Sequence, residues 1–251
     1  MKFPQEDIQS TILFDKDGTL IDLPSVWLPW IEDVDQYLSN SISNYPYQAE
    51  GIKHLIGINK QDGTIDPKGP LAIGSVEESV SIIAFLLYTK GMSWDSALLY
   101  ARDSVDYANE RQNHSPFLQL VEGIEELLIQ LTDKGYNLGV LTADDTDKAN
   151  EQLDRLNILK YFNFVIGSDL VERSKPFPDL AYAARDRYGV KLENSVMIGD
   201  TNADIQLGKS AGVKFTIGIV SYTGSDVTHL READLLIHNY SELLSWSKEA
   251  K

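Results

Sequence analysis

Short apolar runs recur along the chain and end in small or polar residues. Thr11–Phe14 runs into Asp15, 138–141 into Thr142, 162–166 into Gly167, and 195–198 into Gly199 and Asp200. Residues 213–220 make a fifth run and 234–237 a shorter sixth. Runs that are apolar throughout and bounded by turn residues are the pattern of parallel strands buried on both faces. Between them the period lengthens. Val121, Ile124, Leu127, Leu128 and Leu131 share one helical face, and Gly135 follows as a stop. Residues 145–156, 179–188 and 202–210 fit helices as well. Strands alternating with helices predict an α/β fold, a doubly wound (Rossmann-like) parallel sheet with crossover connections. Ligands of such sheets lie beyond the carboxyl ends of the strands, where these polar residues fall.

Residues 23–117 break the rhythm. They hold Trp27, Trp30, Tyr37, Tyr45 and Tyr47, then the apolar-rich stretches 76–88 and 93–109, with a loop rich in Gly, Asp and Pro near 61–74. This segment reads as a mostly helical domain inserted into an α/β core made of 1–22 and 118–251.

Composition narrows the chemistry. With 251 residues, 43% of them hydrophobic, the chain can bury a sizeable core. No apolar stretch approaches the ~18 residues of a membrane span. The start, MKFPQEDIQS, has no apolar segment of the signal-peptide kind, so a cytoplasmic location is expected. A formal net charge of −16 disfavours nucleic acid and membrane surfaces as partners. It also repels an anionic substrate unless a bound cation reverses the field locally. Cysteine is absent, which excludes disulfides and thiolate chemistry, and the four histidines show no metal-ligand spacing.

Four segments carry chemistry. In Phe14-Asp15-Lys16-Asp17-Gly18-Thr19-Leu20, carboxylates at i and i+2 follow a strand, and Gly18 lets the chain turn away. One carboxylate can attack phosphorus; the second can protonate the leaving oxygen and later deprotonate water. Taken alone, such a pair caps a turn equally well. Thr142, followed by Ala143 and Asp144, puts a hydroxyl beside free N–H groups at a helix start, which suits a phosphate oxygen or a simple N-cap. Lys175 precedes Pro176, which biases it towards an extended conformation where it can balance nucleophile and phosphate. Finally, Gly199-Asp200 ends a strand and Asp204 comes four residues later. On a starting helix the two acids share one face and can serve Mg2+, or Asp204 can act as a cap.

In this order the four segments resemble the haloacid dehalogenase-like superfamily of phosphohydrolases, over about residues 12–22 and 117–204. The likeness implies Asp15 as nucleophile and metal ligand, and Asp17 as acid/base and, through its backbone carbonyl, metal ligand. It further implies Thr142, the Ala143 N–H and Lys175 as phosphate binders, Asp200 as a metal ligand and Asp204 as the acid behind it. The insert occupies the place of the helical cap in the phosphoglycolate phosphatase-like and β-phosphoglucomutase-like branch. That branch implies Mg2+, a small phosphate ester as substrate, and a monomer or homodimer. Asp17 argues against dehalogenases and phosphonate-cleaving members. Ala143 stands where many members have Asn, and the acidic run Asp144, Asp145 and Asp147 is expected as the solvated first turn of a helix. Trp27 and Trp30 are expected either to line a substrate pocket or to sit in a helix-pair core. Lys53, His54, Lys60, Arg102 and Arg111 are candidate contacts to a substrate carboxylate. A phosphosugar mutase, a phospho-accepting signalling domain and a non-catalytic phosphate-binding protein are the alternatives to a phosphatase.

Overall fold

The computed structural model describes residues 11–43, 45, 50–59, 61–112, 116–220 and 227–248. Tyr47 and Lys60 lie outside them. The chain divides into two compact units, Met1–Asp22 with Gln119–Lys251, and Leu23–Leu118. The second join falls one residue beyond the expected one.

The first unit is built on a six-stranded sheet in the order β3-β2-β1-β4-β5-β6. Its strands are β1 (Thr11–Phe14), β2 (Asn137–Leu141), β3 (Phe164–Ile166), β4 (Val196–Gly199), β5 (Phe215–Ile219) and β6 (Leu235–Ile237), and every pairing is parallel. All four residues of β1 and of β4 are buried, as central strands covered on both faces must be. The third strand is shorter than the sequence suggests. A 3-10 turn takes Leu159–Tyr161, and the strand begins only at Phe164.

From β1 the chain steps outward through β2 to β3, then returns to place β4 on the other side of β1. Right-handed crossovers put the helices of the outward and return journeys on opposite faces. Of the first unit's helices, α8 (Asp179–Tyr188) and α9 (Asn202–Ala211) pack on each other, as do α6 (Ile124–Asp133) and α10 (Ser241–Lys248). Leu13, Leu141, Ile166 and Met197 meet Leu180, Ala184 and Leu207 in one apolar cluster, which joins four strands to α8 and α9. Between β1 and β4 the winding reverses, and a crevice opens at the carboxyl edge of such a reversal. The remaining helix of this unit, α7 (Thr146–Arg155), follows β2. The sequence reading missed α10.

The second unit is helical: α1 (Leu23–Ser41), α2 (Glu50–Leu55), α3 (Pro70–Ile73), α4 (Val76–Thr89) and α5 (Trp94–Gln112). The short α3 lies in the stretch expected to be loop. Helices α1 and α4 both pack on α5. Trp27 and Trp30 form an edge-to-face pair 5.3 Å apart, and the Trp30 indole N–H donates to Asn109 Oδ1 at 2.9 Å, tying α1 to α5. Trp30 is therefore a core residue of the helix pair.

Leu13 lies on the central strand and is wholly buried. Leu13→Ala is expected to cost about 2–5 kcal/mol of stability, seen as a lower denaturant midpoint at unchanged slope. A loss below about 1 kcal/mol would contradict this account of the core.

Candidate active site

Parallel register sets the site. Phe14 pairs with Val140 on one side and with Ile198 on the other. The ladder runs one residue past β1, since the Asp15 N–H donates to the Ile198 carbonyl at 2.9 Å. Asp15 thus leaves the sheet level with Gly199, one residue short of Asp200. Beyond it the chain folds back at once. The N–H groups of Leu20 and Ile21 both donate to the Lys16 carbonyl, at 2.8 and 2.9 Å, and that of Gly18 donates to the Ile21 carbonyl at 2.7 Å. Gly18 has φ +82°, and a Cβ on it would lie 2.1 Å from Asp200 Oδ2. Both the backbone and the approaching carboxylate require glycine there. The Thr19 hydroxyl donates to Asp200 Oδ1 at 3.2 Å, and the Tyr240 hydroxyl donates to the Thr19 carbonyl at 2.7 Å.

Asp15, Asp200 and Asp204 form one cluster. Each offers an oxygen, and the three oxygens lie within 4.8 Å of one another. Asp200 and Asp204 do not share a helix face as expected. Asp200 precedes the helix, Thr201 is its N-cap, and Asp204 closes a capping box with Thr201. Asp204 Oδ2 accepts from the Thr201 N–H at 3.1 Å and from its hydroxyl at 2.7 Å. Its other oxygen lies 2.7 Å from Lys175 Nζ. Capping and clustering, read from sequence as alternatives, are both true of this residue. Lys175 also contacts Asp15 Oδ1. Its loop follows the 3-10 turn Ser168–Leu170 and leads into α8, and the Lys175–Pro176 peptide is cis.

The charges in this cluster do not balance. Burial is the largest influence on Asp15, lifting its carboxyl to about 7 even though Lys175 pulls the other way. Asp200 is raised well above the usual carboxylate range by burial, then by the charges of Asp15 and Asp204. Burial works against the charge of Lys175, but Asp15 and Asp204 outweigh it and raise its pKa.

A second cluster lies on the β2 side of the same loop. Lys16 has no solvent exposure. Its ammonium lies 2.5 Å from Asp17 Oδ1, 2.5 Å from Gln152 Oε1 and 3.0 Å from Asp144 Oδ2. Asp144 is buried, which corrects the expectation of a solvated acidic turn; only Asp145 and Asp147 are exposed. Burial alone would raise Asp144, but Lys16 and Lys148 hold its carboxyl down at about 2. Asp17 is raised, by burial first, with Lys16 opposing and Asp144 adding to it. Thr142 is buried at the end of β2, and its hydroxyl accepts from the Asp144 N–H at 3.1 Å, which leaves its own proton to donate. Ala143 is half-buried beside it.

The first unit thus brings Asp15, Asp17, Thr142, Ala143, Lys175, Asp200 and Asp204 to one edge of its sheet. Sequence reasoning missed Lys16, Thr19, Gln152 and Tyr240. For Lys16 a signal existed: a lysine between two aspartates at the end of a buried strand can enter the interior only with ionic partners. In the helical unit the expected substrate contacts are engaged internally. Lys53 pairs with Glu32, Arg102 with Glu77 at 3.1 Å, and Arg111 with Asp33 at 2.6 Å. His54 is exposed.

Residues 12–217 match the family model described as haloacid dehalogenase-like hydrolase. The chain belongs to that family. Its phosphatase-like relatives include the pyrophosphatase PpaX of Halalkalibacterium halodurans, 26% identical over 94% of this chain and 95% of that protein. Phosphoglycolate phosphatase of Salmonella typhi is 33% identical over 48% of each chain. Among solved structures, a predicted phosphoglycolate phosphatase from Haemophilus somnus superposes with a TM-score of 0.71 over 96% of this chain and 98% of its own, at 18% identity, a likeness of fold. Among the described residues no helix is long and apolar enough to cross a membrane.

A divalent cation fits the Asp15–Asp200–Asp204 cluster by its chemistry. Its donors are hard carboxylate oxygens, buried, with one lysine against three acids. The raised carboxyls make that fit pH-dependent. Between the usual carboxylate range near 4 and about 7, the folded metal-free protein holds more protons at Asp15 than the unfolded chain does. This contribution lowers stability as pH rises through that window. A cation bound to the cluster displaces those protons. The gain in thermal midpoint from a fixed Mg2+ concentration is therefore expected to be larger at pH 8 than at pH 6. Equal gains at the two pH values would show that the cluster is not where the ion binds.

Proposed function

We propose that this protein is a Mg2+-dependent phosphatase that hydrolyses a small phosphorylated metabolite through an aspartyl-phosphate (acyl phosphate) intermediate on Asp15. The observation that carries the reading is the separation of two acid clusters by a single loop. Asp15 sits with Lys175, Asp200 and Asp204, and Asp17, two residues on, sits with Lys16.

In the first step an Asp15 carboxylate oxygen attacks phosphorus. The bond from phosphorus to the leaving oxygen breaks, and Asp17 gives that oxygen its proton. In the second step water attacks the aspartyl phosphate and yields its proton to Asp17. The bond from Asp15 to phosphorus breaks, inorganic phosphate leaves, and both acids return to their starting states. Lys175 holds the Asp15 oxygen and offsets phosphoryl charge. The Thr142 hydroxyl and the Ala143 N–H are the donors to the phosphoryl oxygens, a role that is mostly positioning. Asp15, Asp200 and the Asp17 carbonyl would hold Mg2+, with Asp204 orienting Lys175 and the helix start. When bound, the ion supplies positive charge to the transferring phosphoryl group. In a chain of net charge −16 that charge is also what admits an anion.

The unit Leu23–Leu118 is assigned the part of a cap that selects the substrate and excludes water, and the whole is placed in the cytoplasm. The named relatives suggest phosphoglycolate and inorganic pyrophosphate as the first substrates to try, and the likeness to the β-phosphoglucomutase-like branch adds sugar phosphates.

The deciding experiment is phosphate release from that panel with and without Mg2+, beside Asp15→Asn. Metal-dependent release that falls by ~10³-fold or more in the variant is expected. Near-native turnover in Asp15→Asn would remove the nucleophile assignment. Isomerisation of glucose 1-phosphate without net release would replace the phosphatase with a mutase.

A further inference from the structure

Lys16 follows the proposed nucleophile and points into the protein interior with no exposure. An ammonium has three donors and no acceptor. Here two of them go to Asp17 Oδ1 and Gln152 Oε1, each at 2.5 Å, and Asp144 Oδ2 lies 3.0 Å from the ammonium as an ion-pair partner. The ammonium cannot shift towards one partner without losing another. Its supports are themselves fixed. Asp144 is also tied to Lys148 at 3.8 Å, and Gln152 lies on α7.

Gln152 is informative. Lysine only donates, so the amide must turn its oxygen inward. Its nitrogen is then buried with no hydrogen-bond partner among the described residues. An apolar side chain at 152 would avoid leaving a polar atom unmatched, a cost of about 1–3 kcal/mol. Gln152 therefore serves for what its oxygen holds. Asp17 is held on one side only. Oδ1 takes the lysine, Oδ2 takes no hydrogen bond among the described residues, and the side chain keeps 17% exposure.

We infer that Lys16, seated on Asp144 and Gln152, is a positioning residue for Asp17: it fixes Oδ1 and presents Oδ2 as the oxygen that exchanges the proton. The inference rests on the acid/base reading of Asp17 given above. It divides the labour of the two lysines. Lys175 serves the nucleophile, and Lys16 serves the proton.

Leaving-group dependence tests this, because a general acid matters most where the departing oxygen is poorly stabilised. The value of kcat/KM, which reports transfer of the phosphoryl group to the enzyme, is measured for p-nitrophenyl phosphate and for the preferred alkyl ester of the panel. The variants are Lys16→Met and Gln152→Met, with Asp17→Asn as reference. Lys16→Met strands two buried carboxylates and can fail to fold. Gln152→Met keeps the ion pairs and carries the test by itself.

Both lysine-network variants are expected to lose about tenfold more on the alkyl ester than on the aryl ester, in the same sense as Asp17→Asn. A purely structural role lowers both substrates alike. Equal losses in Gln152→Met, with Asp17→Asn still discriminating, would overturn the positioning role and leave the acid/base reading standing. An Asp17→Asn that loses both substrates equally would remove the acid/base reading, and this inference with it. Absence of release from every panel member would remove both together.

Discussion

Two buried lysine side chains hold the acidic edge of this sheet together. Five aspartates, Asp15, Asp17, Asp144, Asp200 and Asp204, lie along the carboxyl edge of β2, β1 and β4. Unpaired carboxylates at such a depth are strongly destabilising. Lys16 answers Asp17 and Asp144; Lys175 answers Asp15 and Asp204. The division is unequal. Asp144 is pulled down to about 2, while Asp200, with no lysine in contact among the described residues, is driven well up by burial and its acidic neighbours. Lys16 and Lys148 together match the two acids of one cluster, whereas Lys175 alone faces three in the other, and the shortfall lies where three acid oxygens already face one another.

That imbalance explains why the backbone is so tightly specified nearby. Gly18 must accept Asp200 at a distance no Cβ tolerates, and a Cβ on Gly199 would lie 2.2 Å from Asp204 Cβ. The carboxylates come together because the chain at both positions has no side chain to keep them apart. Thr201 and Asp204 use the capping box to fix the start of α9, so that a motif of helix stability also aims Asp204 Oδ1 at Lys175. Tyr240, from a segment near the end of the described chain, braces the Thr19 carbonyl from behind, and Thr19 in turn holds Asp200.

Much of this was legible in the sequence because its signals are local. Six apolar runs ending in polar residues led to the sheet, and the spacing of Asp15, Thr142, Lys175 and Asp200 led to one edge of it. What was not legible depended on partners far apart in the chain. Gln152 looks like an ordinary surface glutamine on a helix until Lys16, 136 residues away, is brought against it. Asp144 sits in an acidic run that hydropathy assigns to solvent, and only the lysine opposite makes its burial possible. Tyr240 lies 221 residues from the carbonyl it supports. The Asp200–Asp204 spacing misled in a different way: an i, i+4 pair shares a face only if both lie in the helix, and the N-cap falls between them.

Under the proposed mechanism, the arrangement also bears on how one loop would serve two reactions in sequence. Phosphoryl transfer to a carboxylate and its later hydrolysis both need a proton moved, in opposite directions, within reach of the same phosphorus. The two acids still feel each other: after the larger influences of burial, Lys175 and Asp204, the charge of Asp17 adds to the rise of the Asp15 carboxyl. Here Asp15 and Asp17 are two residues apart yet answer to different lysines, on different sides of β1. The charge on Asp15 can vanish and return while the partner of Asp17 stays where it is. The fold-back of the loop on the Lys16 carbonyl makes that possible, because it sends the Lys16 side chain towards α7 while the acid before it faces β4.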